Sequence, residues 1–249
     1  MSQPPLKHAL VTGATSGIGL AIAEALLADG CFVHLNYAHN EERAKSVALR
    51  LAPFEGMFSF IRADLSDYGC IPKIAATLQE GGTPLTYLVL NYGARTTNKA
   101  PFNEIAIEDW ELVMRVNANV PFFLIQALHN ASLFAQGASI LCVSTLMARM
   151  PHSASISYGV SKAAMSAMSQ NLAKFLAPSG IRINAVEPGF IDTPWQSEKP
   201  PDHRGRIEAK TALGRFGEPE EVAAICLAVL KNTYMTGAIV PISGGYGLT

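Results

Sequence analysis

Residues 8–28 read HALVTGATSGIGLAIAEALLA, and this stretch decides the fold. The apolar run at 8–12 is typical of a short strand, and 20–28 carries good helix formers with the apolar spacing of a helix. Three glycines lie between these two segments: Gly13, Gly17 and Gly19. A glycine turn in this context brings bare backbone amides and the positive end of a helix to a phosphate group. The unit therefore predicts dinucleotide binding, whereas the turn alone would indicate only a tight connection.

Strand-like and helix-like segments alternate through the rest of the chain. Further strands are predicted at 32–37, 57–62, 86–91, 138–144, 181–186 and 238–242. Further helices are predicted at 41–51, 68–79, 109–128, 158–176 and 219–230. Nearly continuous apolar strands that alternate with helices indicate a parallel sheet covered on both faces. The predicted fold class is therefore α/β, a doubly wound Rossmann-type domain with about seven parallel strands.

The domain organisation follows from the absence of interruptions in this alternation. No linker, repeat or low-complexity segment occurs, so residues 1–249 are predicted to form a single domain. One irregular stretch, 192–217, is rich in proline and charge. A connection of that length usually has a function, and we expect it to be an insertion on the substrate side.

Composition limits the function classes. The chain has 249 residues, of which 49% are hydrophobic and 16% charged, which is enough for a sizeable core. The formal net charge of -1 predicts neither a nucleic acid nor a membrane surface as partner. Four widely spaced cysteines without a CxxC pair suit reduced thiols in the cytoplasm. No signal peptide, membrane span or metal site is predicted, so we expect a cytoplasmic protein whose mature chain starts near Met1.

Polar and glycine residues recur where the predicted strands end. In an open parallel sheet, ligands bind beyond the carboxyl ends of the strands, so these residues should meet at one edge. In chain order after the glycine turn they are Asn36 and Tyr37, Asp64 and Leu65, Asn91 and Gly93, Ser144 and Thr145, and Pro188 and Gly189.

Tyr158 and Lys162 are four residues apart, about one helical turn, so both side chains lie on the same face of the predicted helix. By itself such a pair is more often a solvated helix face than a catalytic pair. Its position after five polar strand ends favours a catalytic role.

The sequence resembles the short-chain dehydrogenase/reductases, and the match covers essentially the whole chain. Five motifs carry the resemblance in the family's order. They are the glycine turn at 12–19, Asp64-Leu65, Val116-Asn117, the pair Tyr158 and Lys162, and Pro188-Gly189 followed by Ile191 and Thr193.

The resemblance implies a carbonyl reductase that uses a nicotinamide cofactor. Tyr158 would donate a proton to the developing alkoxide, and its phenol, which normally titrates near ~10, would need a nearby cation to favour phenolate. Lys162 would supply that cation and hold the nicotinamide ribose. Asn117 would anchor a water that relays protons to Lys162.

The same resemblance implies a set of cofactor-binding residues along the sheet edge. They are Gly13, Thr15, Ser16, Gly17, Ile18, Gly19, Asn36, Tyr37, Asp64, Leu65, Asn91, Gly93, Tyr158, Lys162, Pro188, Gly189, Ile191 and Thr193. An acid at the end of the second strand would repel a 2′-phosphate, and no acid occurs there before Glu41. NADP(H) is therefore favoured over NAD(H), although Ser16 stands where many NADPH enzymes of the family carry a basic residue.

The hydroxyl that orients the substrate carbonyl is ambiguous. The family's serine lies thirteen residues before the tyrosine, and here that position is Thr145, with Ser144 one residue earlier. Adjacent side chains of a strand point to opposite faces, so only one can face the substrate. Thr145 is the first choice and Ser144 the alternative.

Two further residues depart from the family pattern. Tyr92 replaces the usual alanine after the fourth strand, and Glu187 places a charge directly before Pro188-Gly189. For each residue, local packing and a functional role are equally good interpretations.

The substrate is the least constrained part of the prediction. The overall pattern is most similar to 3-oxoacyl-[acyl-carrier-protein] reductases, and the residues expected near the pocket are largely apolar: Leu146, Met147, Met150, Phe190 and Trp195. These side chains suit an acyl or aromatic chain, or ordinary core. A small free ketone, alcohol or sugar is the alternative substrate, and a non-catalytic cofactor-binding protein is the alternative class.

Family resemblance also implies a homotetramer, or a dimer, formed through the helices at 109–128 and 158–176. Met165 and Met168 would then be interface residues. Basic residues that often serve the carrier protein are replaced here by Gln136 and Ser179, so a carrier-bound acyl substrate is a hypothesis.

Overall fold

The computed structural model describes residues 6–96, 102–151, 155–197 and 199–248. Its seven strands are β1 (His8–Val11), β2 (Phe32–Tyr37), β3 (Phe58–Arg62), β4 (Leu85–Leu90), β5 (Phe134–Val143), β6 (Arg182–Pro188) and β7 (Ile239–Ile242). They form one parallel sheet in the order β3-β2-β1-β4-β5-β6-β7. The chain reverses its direction of winding between β1 and β4, where such sheets open a crevice for ligands. The predicted fold class is confirmed.

Helices cover both faces of this sheet. They are α1 (Gly17–Ala28), α2 (Glu41–Arg50), α3 (Cys70–Glu80), α4 (Ile107–Met114), α5 (Val120–Asn130), α6 (Ile156–Leu176), α7 (Pro201–Glu208) and α8 (Pro219–Lys231). Alternate strand residues point to opposite faces, so Val11 packs with α1 and α8 whereas Leu10 packs with α3, α5 and α6. Among the described residues, no helix is both long and apolar enough to cross a bilayer.

Two predicted segments differ from the structure. The helix expected at 109–128 is divided into α4 and α5 by a π-helical turn, Arg115–Asn119. Such turns often mark functional sites, and this one carries Asn117. The stretch 192–217 is not irregular throughout, because it contains α7, whose Ile207 packs into a small cluster with Leu146, Phe216 and Tyr246.

The prediction that Met165 is an interface residue is wrong. Its side chain is completely buried between α6 and the sheet. Met168 is partly buried and packs against the same core. Helical periodicity alone does not show which apolar stripe of α6 faces the sheet.

Candidate active site

The glycine turn is so tight that one of its positions excludes any side chain. Gly13 and Gly17 have φ values of +63° and +52°, which other residues rarely adopt. A Cβ on Gly19 would lie 2.3 Å from the carbonyl oxygen of Gly13 and 2.4 Å from Nδ2 of Asn91. The backbone between β1 and α1 therefore stays bare.

Residues at the end of β4 hold this turn in place. The Thr12 hydroxyl accepts hydrogen bonds from the backbone N–H groups of Asn91 (2.9 Å) and Tyr92 (3.1 Å). In return, Nδ2 of Asn91 donates to the carbonyl oxygens of Thr12 (3.0 Å) and Gly13 (3.2 Å). The Asn91 amide is thus occupied in positioning the turn.

The start of α1 is left open for an anion. Ser16 occupies the N-cap position but its side chain makes no capping hydrogen bond, and the first turn contains no acidic residue. By contrast, α2 is capped by Asn40, and α8 by Glu218 together with Glu221. Uncapped N–H groups and the positive helix end suit a pyrophosphate. The turn that contains Thr15 and Ile18 therefore fits a dinucleotide.

Asn36 was predicted to contact the cofactor, but its side chain is directed into the sheet. It is completely buried, and Nδ2 donates to the carbonyl oxygens of Ile61 (3.2 Å) and Ala63 (2.9 Å). Its Oδ1 accepts a long hydrogen bond, 3.4 Å, from the backbone N–H of Gly13. Asn36 therefore braces the glycine turn from behind, while Tyr37 at the end of β2 stays half-buried.

Asp64 lies at the adjacent strand end. Its carboxylate accepts from the Ser66 backbone N–H at 2.9 Å and pairs with Nε2 of His39 at 2.9 Å. Burial alone would raise the pKa of Asp64, but the hydrogen bonds from Ser66 and the charge of His39 hold it below its ordinary value. Leu65 beside it is buried in the core.

The structure explains the unusual Tyr92. Its ring lies directly against Gly13, where an added Cβ would come within 3.1 Å of the ring carbon Cδ2. Burial raises the pKa of Tyr92 above its ordinary value. Local packing under the turn accounts for this residue.

Tyr158 and Thr145 meet at the carboxyl end of β5. Burial of the Tyr158 hydroxyl raises its pKa to about 12, opposed by a hydrogen bond with the Thr145 side chain and by the charge of Arg95. The Tyr158 ring lies 6.0 Å from the Trp195 ring, centre to centre. The pKa of this phenol is thus raised, whereas the sequence predicted that a nearby cation would lower it.

Lys162 is almost completely buried. Its Nζ donates to the carbonyl oxygen of Val143 at 2.8 Å and lies 3.8 Å from Sδ of Met165. Burial lowers its pKa to about 8. A Cβ on Gly93 would lie 3.3 Å from Nζ, so the backbone after β4 packs closely against this ammonium.

Asn117 in the π-helical turn uses its whole amide group within the protein. Oδ1 accepts from the backbone N–H of Ala94 at 2.8 Å. Nδ2 donates to the carbonyl oxygen of Ala94 at 2.8 Å and to the Ser161 hydroxyl at 2.9 Å. Asn117 therefore fixes the segment after β4 to α6, and neither amide hydrogen is left for a water.

Ser144 and Thr145 point to opposite sides of β5. The Ser144 hydroxyl is buried, donates to the Lys162 carbonyl oxygen at 2.9 Å and lies 2.9 Å from the Ser166 hydroxyl. The Thr145 hydroxyl faces Tyr158 and also donates weakly to the Pro188 carbonyl oxygen, at 3.4 Å. Of the two candidates, the structure places Thr145 at the site.

Residues after β6 line the remaining side of the candidate active site. A Cβ on Gly189 would lie 3.0 Å from Cα of Ser243, so the backbone is closely packed there. Ile191 is buried, and the Thr193 side chain approaches Gly17 of the glycine turn. These contacts bring the segment after β6 over the start of α1.

Glu187 is part of a buried polar network behind the site. Its side chain is completely buried, with Oε1 accepting from the Ser166 hydroxyl at 2.9 Å and Oε2 paired with Nε of Arg149. Through Ser166 and Ser144 the network reaches the backbone of α6 at Lys162. Glu187 thus connects β6, α6 and the loop after β5.

The predicted pocket residues separate into two groups. Leu146 is buried and Phe190 packs against the same small cluster, which makes both part of the core. Trp195 is partly exposed and stands next to Tyr158. Sequence reasoning missed Arg95, whose guanidinium lies over the Trp195 ring, although its place two residues after Gly93 at a strand end could have indicated it.

Nearly the whole chain matches a known protein family. Residues 13–247 match a family model described as enoyl-(acyl carrier protein) reductase. The chain belongs to the short-chain dehydrogenase/reductase family, and it is an NAD(P)-dependent oxidoreductase.

Relatives within the family differ in substrate. A 3-oxoacyl-[acyl-carrier-protein] reductase of Aquifex aeolicus is 31% identical over 96% of each chain. The cis-4-hydroxycyclohexanecarboxylate dehydrogenase of Sinomonas cyclohexanicum is 34% identical over 96% of this chain and 95% of its own. The structure of the angucycline C-6 ketoreductase LanV with bound NADP has a TM-score of 0.88 at 30% identity, covering 98% of this chain and 96% of its own.

We predict that Arg149→Met destabilises the protein because it leaves the Glu187 carboxylate buried without its cation. Since the Arg149 side chain is about half exposed, we expect a loss of about 2 kcal/mol in the free energy of unfolding, below the usual value for a fully buried pair. Urea unfolding at pH 7 measures the loss. The double variant with Glu187→Gln should recover part of it, and equal stability of the single variant and the wild type would contradict the assigned pairing.

We predict that Lys162→Met stabilises the fold at pH 7. The pKa of Lys162 is lowered from 10.5 to about 8, so keeping its charge in the folded state costs up to about 3 kcal/mol below pH 8. Between pH 8 and 10.5 the unfolded chain binds more protons, so the wild type gains stability and the advantage of the variant shrinks.

Urea unfolding of both proteins at pH 7 and pH 9.5 measures this difference. Lys73→Met, which removes the charge of an exposed lysine on α3, serves as the control and should change stability little at either pH. A Lys162→Met protein that is less stable than the wild type at pH 7 would refute the predicted cost of the buried ammonium.

Proposed function

We propose that this protein is an NADPH-dependent carbonyl reductase that reduces a 3-oxoacyl thioester, linked to an acyl carrier protein, to the 3-hydroxyacyl product. The observation that carries the proposal is the pair of hydroxyls from Thr145 and Tyr158 at the carboxyl end of β5, beside the bare glycine turn. Two adjacent hydroxyls can hold one carbonyl oxygen, and one of them can give it a proton.

When bound, NADPH would be the source of the hydride that the carbonyl carbon receives. Tyr158 donates its proton to the oxygen that becomes an alkoxide, and its pKa of about 12 keeps the phenol protonated at neutral pH before the substrate arrives. Thr145 donates a hydrogen bond that orients the same oxygen. Lys162 holds its ammonium one helical turn away, where it would bind the nicotinamide ribose.

Asn117 would contribute to proton supply by holding a water molecule in place. Its amide is engaged with Ala94 and Ser161, so the water that the family resemblance implies would be held by the Asn117 backbone. The π-helical turn supports this proposal, because it departs from the regular i→i+4 ladder at this residue.

The cofactor would be held along the edge of the sheet where the carboxyl ends of the strands meet. The turn from Gly13 to Gly19 would hold the pyrophosphate, Asp64 and Leu65 would hold the adenine side, and the segment from Pro188 to Thr193 would hold the nicotinamide side. No acidic side chain stands at the end of β2, and His39 pairs with Asp64, so nothing in β2 repels a 2′-phosphate. These features, together with the NADP-bound LanV, support NADP(H) over NAD(H).

A small free ketone is the second candidate substrate. The Trp195 ring stands 6.0 Å from the Tyr158 ring and narrows the approach to the phenol. The relative from Sinomonas cyclohexanicum, which is named for a cyclic hydroxy acid, supports this alternative.

We also propose a homotetramer, or a dimer, in the cytoplasm. Large apolar side chains remain exposed on the helices through which family members assemble. On α4, α5 and α6 they include Ile107, Phe123 and Phe175. Covering such side chains is the usual reason for a family interface to form.

A panel of substrates and cofactors tests the proposed reaction. We expect NADPH to be oxidised faster than NADH, and acetoacetyl thioesters carried by acyl carrier protein to be reduced more efficiently than simple ketones. Higher turnover with simple ketones would support the second candidate, and a preference for NADH would contradict the cofactor proposal. Cofactor oxidation that survives in Tyr158→Phe would refute the proposed proton donor.

We predict that Thr145→Val lowers kcat by about 100-fold or more, because it removes a hydrogen bond to the developing oxyanion. Ser144→Ala should retain most of the turnover, since its hydroxyl bonds the α6 backbone away from the site. Steady-state kinetics of both variants measure the contrast. The opposite ranking would assign the orienting hydroxyl to Ser144.

A further inference from the structure

Arg95 lies at the open side of the candidate site. Its guanidinium carbon is 4.5 Å from the centre of the Trp195 ring, and its Nη2 donates to the Trp195 carbonyl oxygen at 3.1 Å. The same indole ring is 6.0 Å from the Tyr158 ring. The exposed guanidinium of Arg95 is therefore stacked on a ring that neighbours Tyr158, the proposed proton donor.

The charge of Arg95 is not neutralised within the described part of the protein. Three other arginines on this side of the sheet pair with carboxylates. They are Arg149 with Glu187, Arg204 with Asp192, and Arg215 with Glu221. No acidic partner of Arg95 occurs among the described residues, yet its charge is close enough to act against burial at the Tyr158 phenol. A guanidinium has five N–H donors, and one of them is used on Trp195.

We infer that Arg95 binds the second oxygen of a 1,3-dicarbonyl substrate, the C1 oxygen of a 3-oxoacyl group, while Tyr158 and Thr145 hold the C3 ketone oxygen. This inference rests on the proposed carbonyl reduction and deepens it. A single methylene carbon separates the two carbonyl carbons in such a substrate, so a donor for the C1 oxygen must lie near the tyrosine. Arg95 meets this requirement through the Trp195 ring, which it stacks on and which neighbours Tyr158.

Arginine suits this task better than lysine. Its planar fork presents two parallel N–H groups to an oxygen acceptor, and stacking on the Trp195 ring fixes the orientation of that fork. The C1 oxygen can belong to a thioester carbonyl or to a free carboxylate, and both accept hydrogen bonds from a guanidinium. Only the carboxylate adds a full charge, so salt distinguishes the two.

The test compares Arg95→Met with the wild type on three ketones, using NADPH. The ketones are the acetoacetyl thioester of N-acetylcysteamine, free acetoacetate, and 2-butanone, which lacks a C1 oxygen. We expect kcat/KM of Arg95→Met to fall about 10- to 100-fold on whichever 3-oxo compound the wild type reduces. On 2-butanone we expect a change of less than about two-fold, because no bond to Arg95 is lost. Arg95→Lys should show an intermediate loss on the 3-oxo compound only.

Lys73→Met is the matched control, since it removes an exposed cation far along α3 and should leave all three substrates unaffected. A loss on acetoacetate that shrinks between 20 mM and 500 mM salt would identify the carboxylate as the ligand, whereas a salt-independent loss on the thioester would identify the thioester carbonyl. Equal losses on all three ketones would overturn the inference, because Arg95 would then only hold Trp195. The inference also falls if the wild type reduces 2-butanone alone. A wild type inactive on every ketone would refute carbonyl reduction itself.

Discussion

The cross-tie between Thr12 and Asn91 is the constraint on which the candidate site depends. The hydroxyl of one and the amide of the other join the end of β1 to the end of β4 at the point where the sheet changes its direction of winding. This contact leaves no room for a side chain at Gly19, and it carries the chain onward to Gly93, which packs against Lys162. The hydrogen bonds between Thr12 and Asn91 thus position both the glycine turn and the segment that packs against α6.

A second polar framework supports α6 from behind. Ser144, Ser166 and Glu187 connect the α6 backbone to β6, and Arg149 closes the network at its exposed end. A buried carboxylate is tolerated only with such partners, because its desolvation would otherwise exceed what packing can offset. The network explains how a charge can stand directly before Pro188. It also engages the Ser144 hydroxyl within the protein.

Burial of the Lys162 ammonium affects both its pKa and the stability of the fold. Its ammonium is desolvated beneath β5, which lowers the pKa to about 8 and costs stability, while the bond to the Val143 carbonyl oxygen keeps it in place. Active-site groups are commonly held in such unfavourable surroundings. The Tyr158 side chain is only partly buried, but desolvation of its hydroxyl raises the pKa to about 12, so the phenol is protonated at neutral pH.

The sequence by itself determined the α/β class, the order of the strands and the glycine turn, and it placed Thr145 and Tyr158 at one edge of the sheet. These features follow from periodicity, glycine spacing and the rule that parallel strands end at one edge, all of which are local in the chain. Only the tertiary structure decided that Asn36 and Asn91 brace the turn, that Glu187 pairs with Arg149, and that Arg95 meets Trp195 a hundred residues away. The direction of each of these side chains depends on neighbours from distant segments, and no local pattern in the sequence records that.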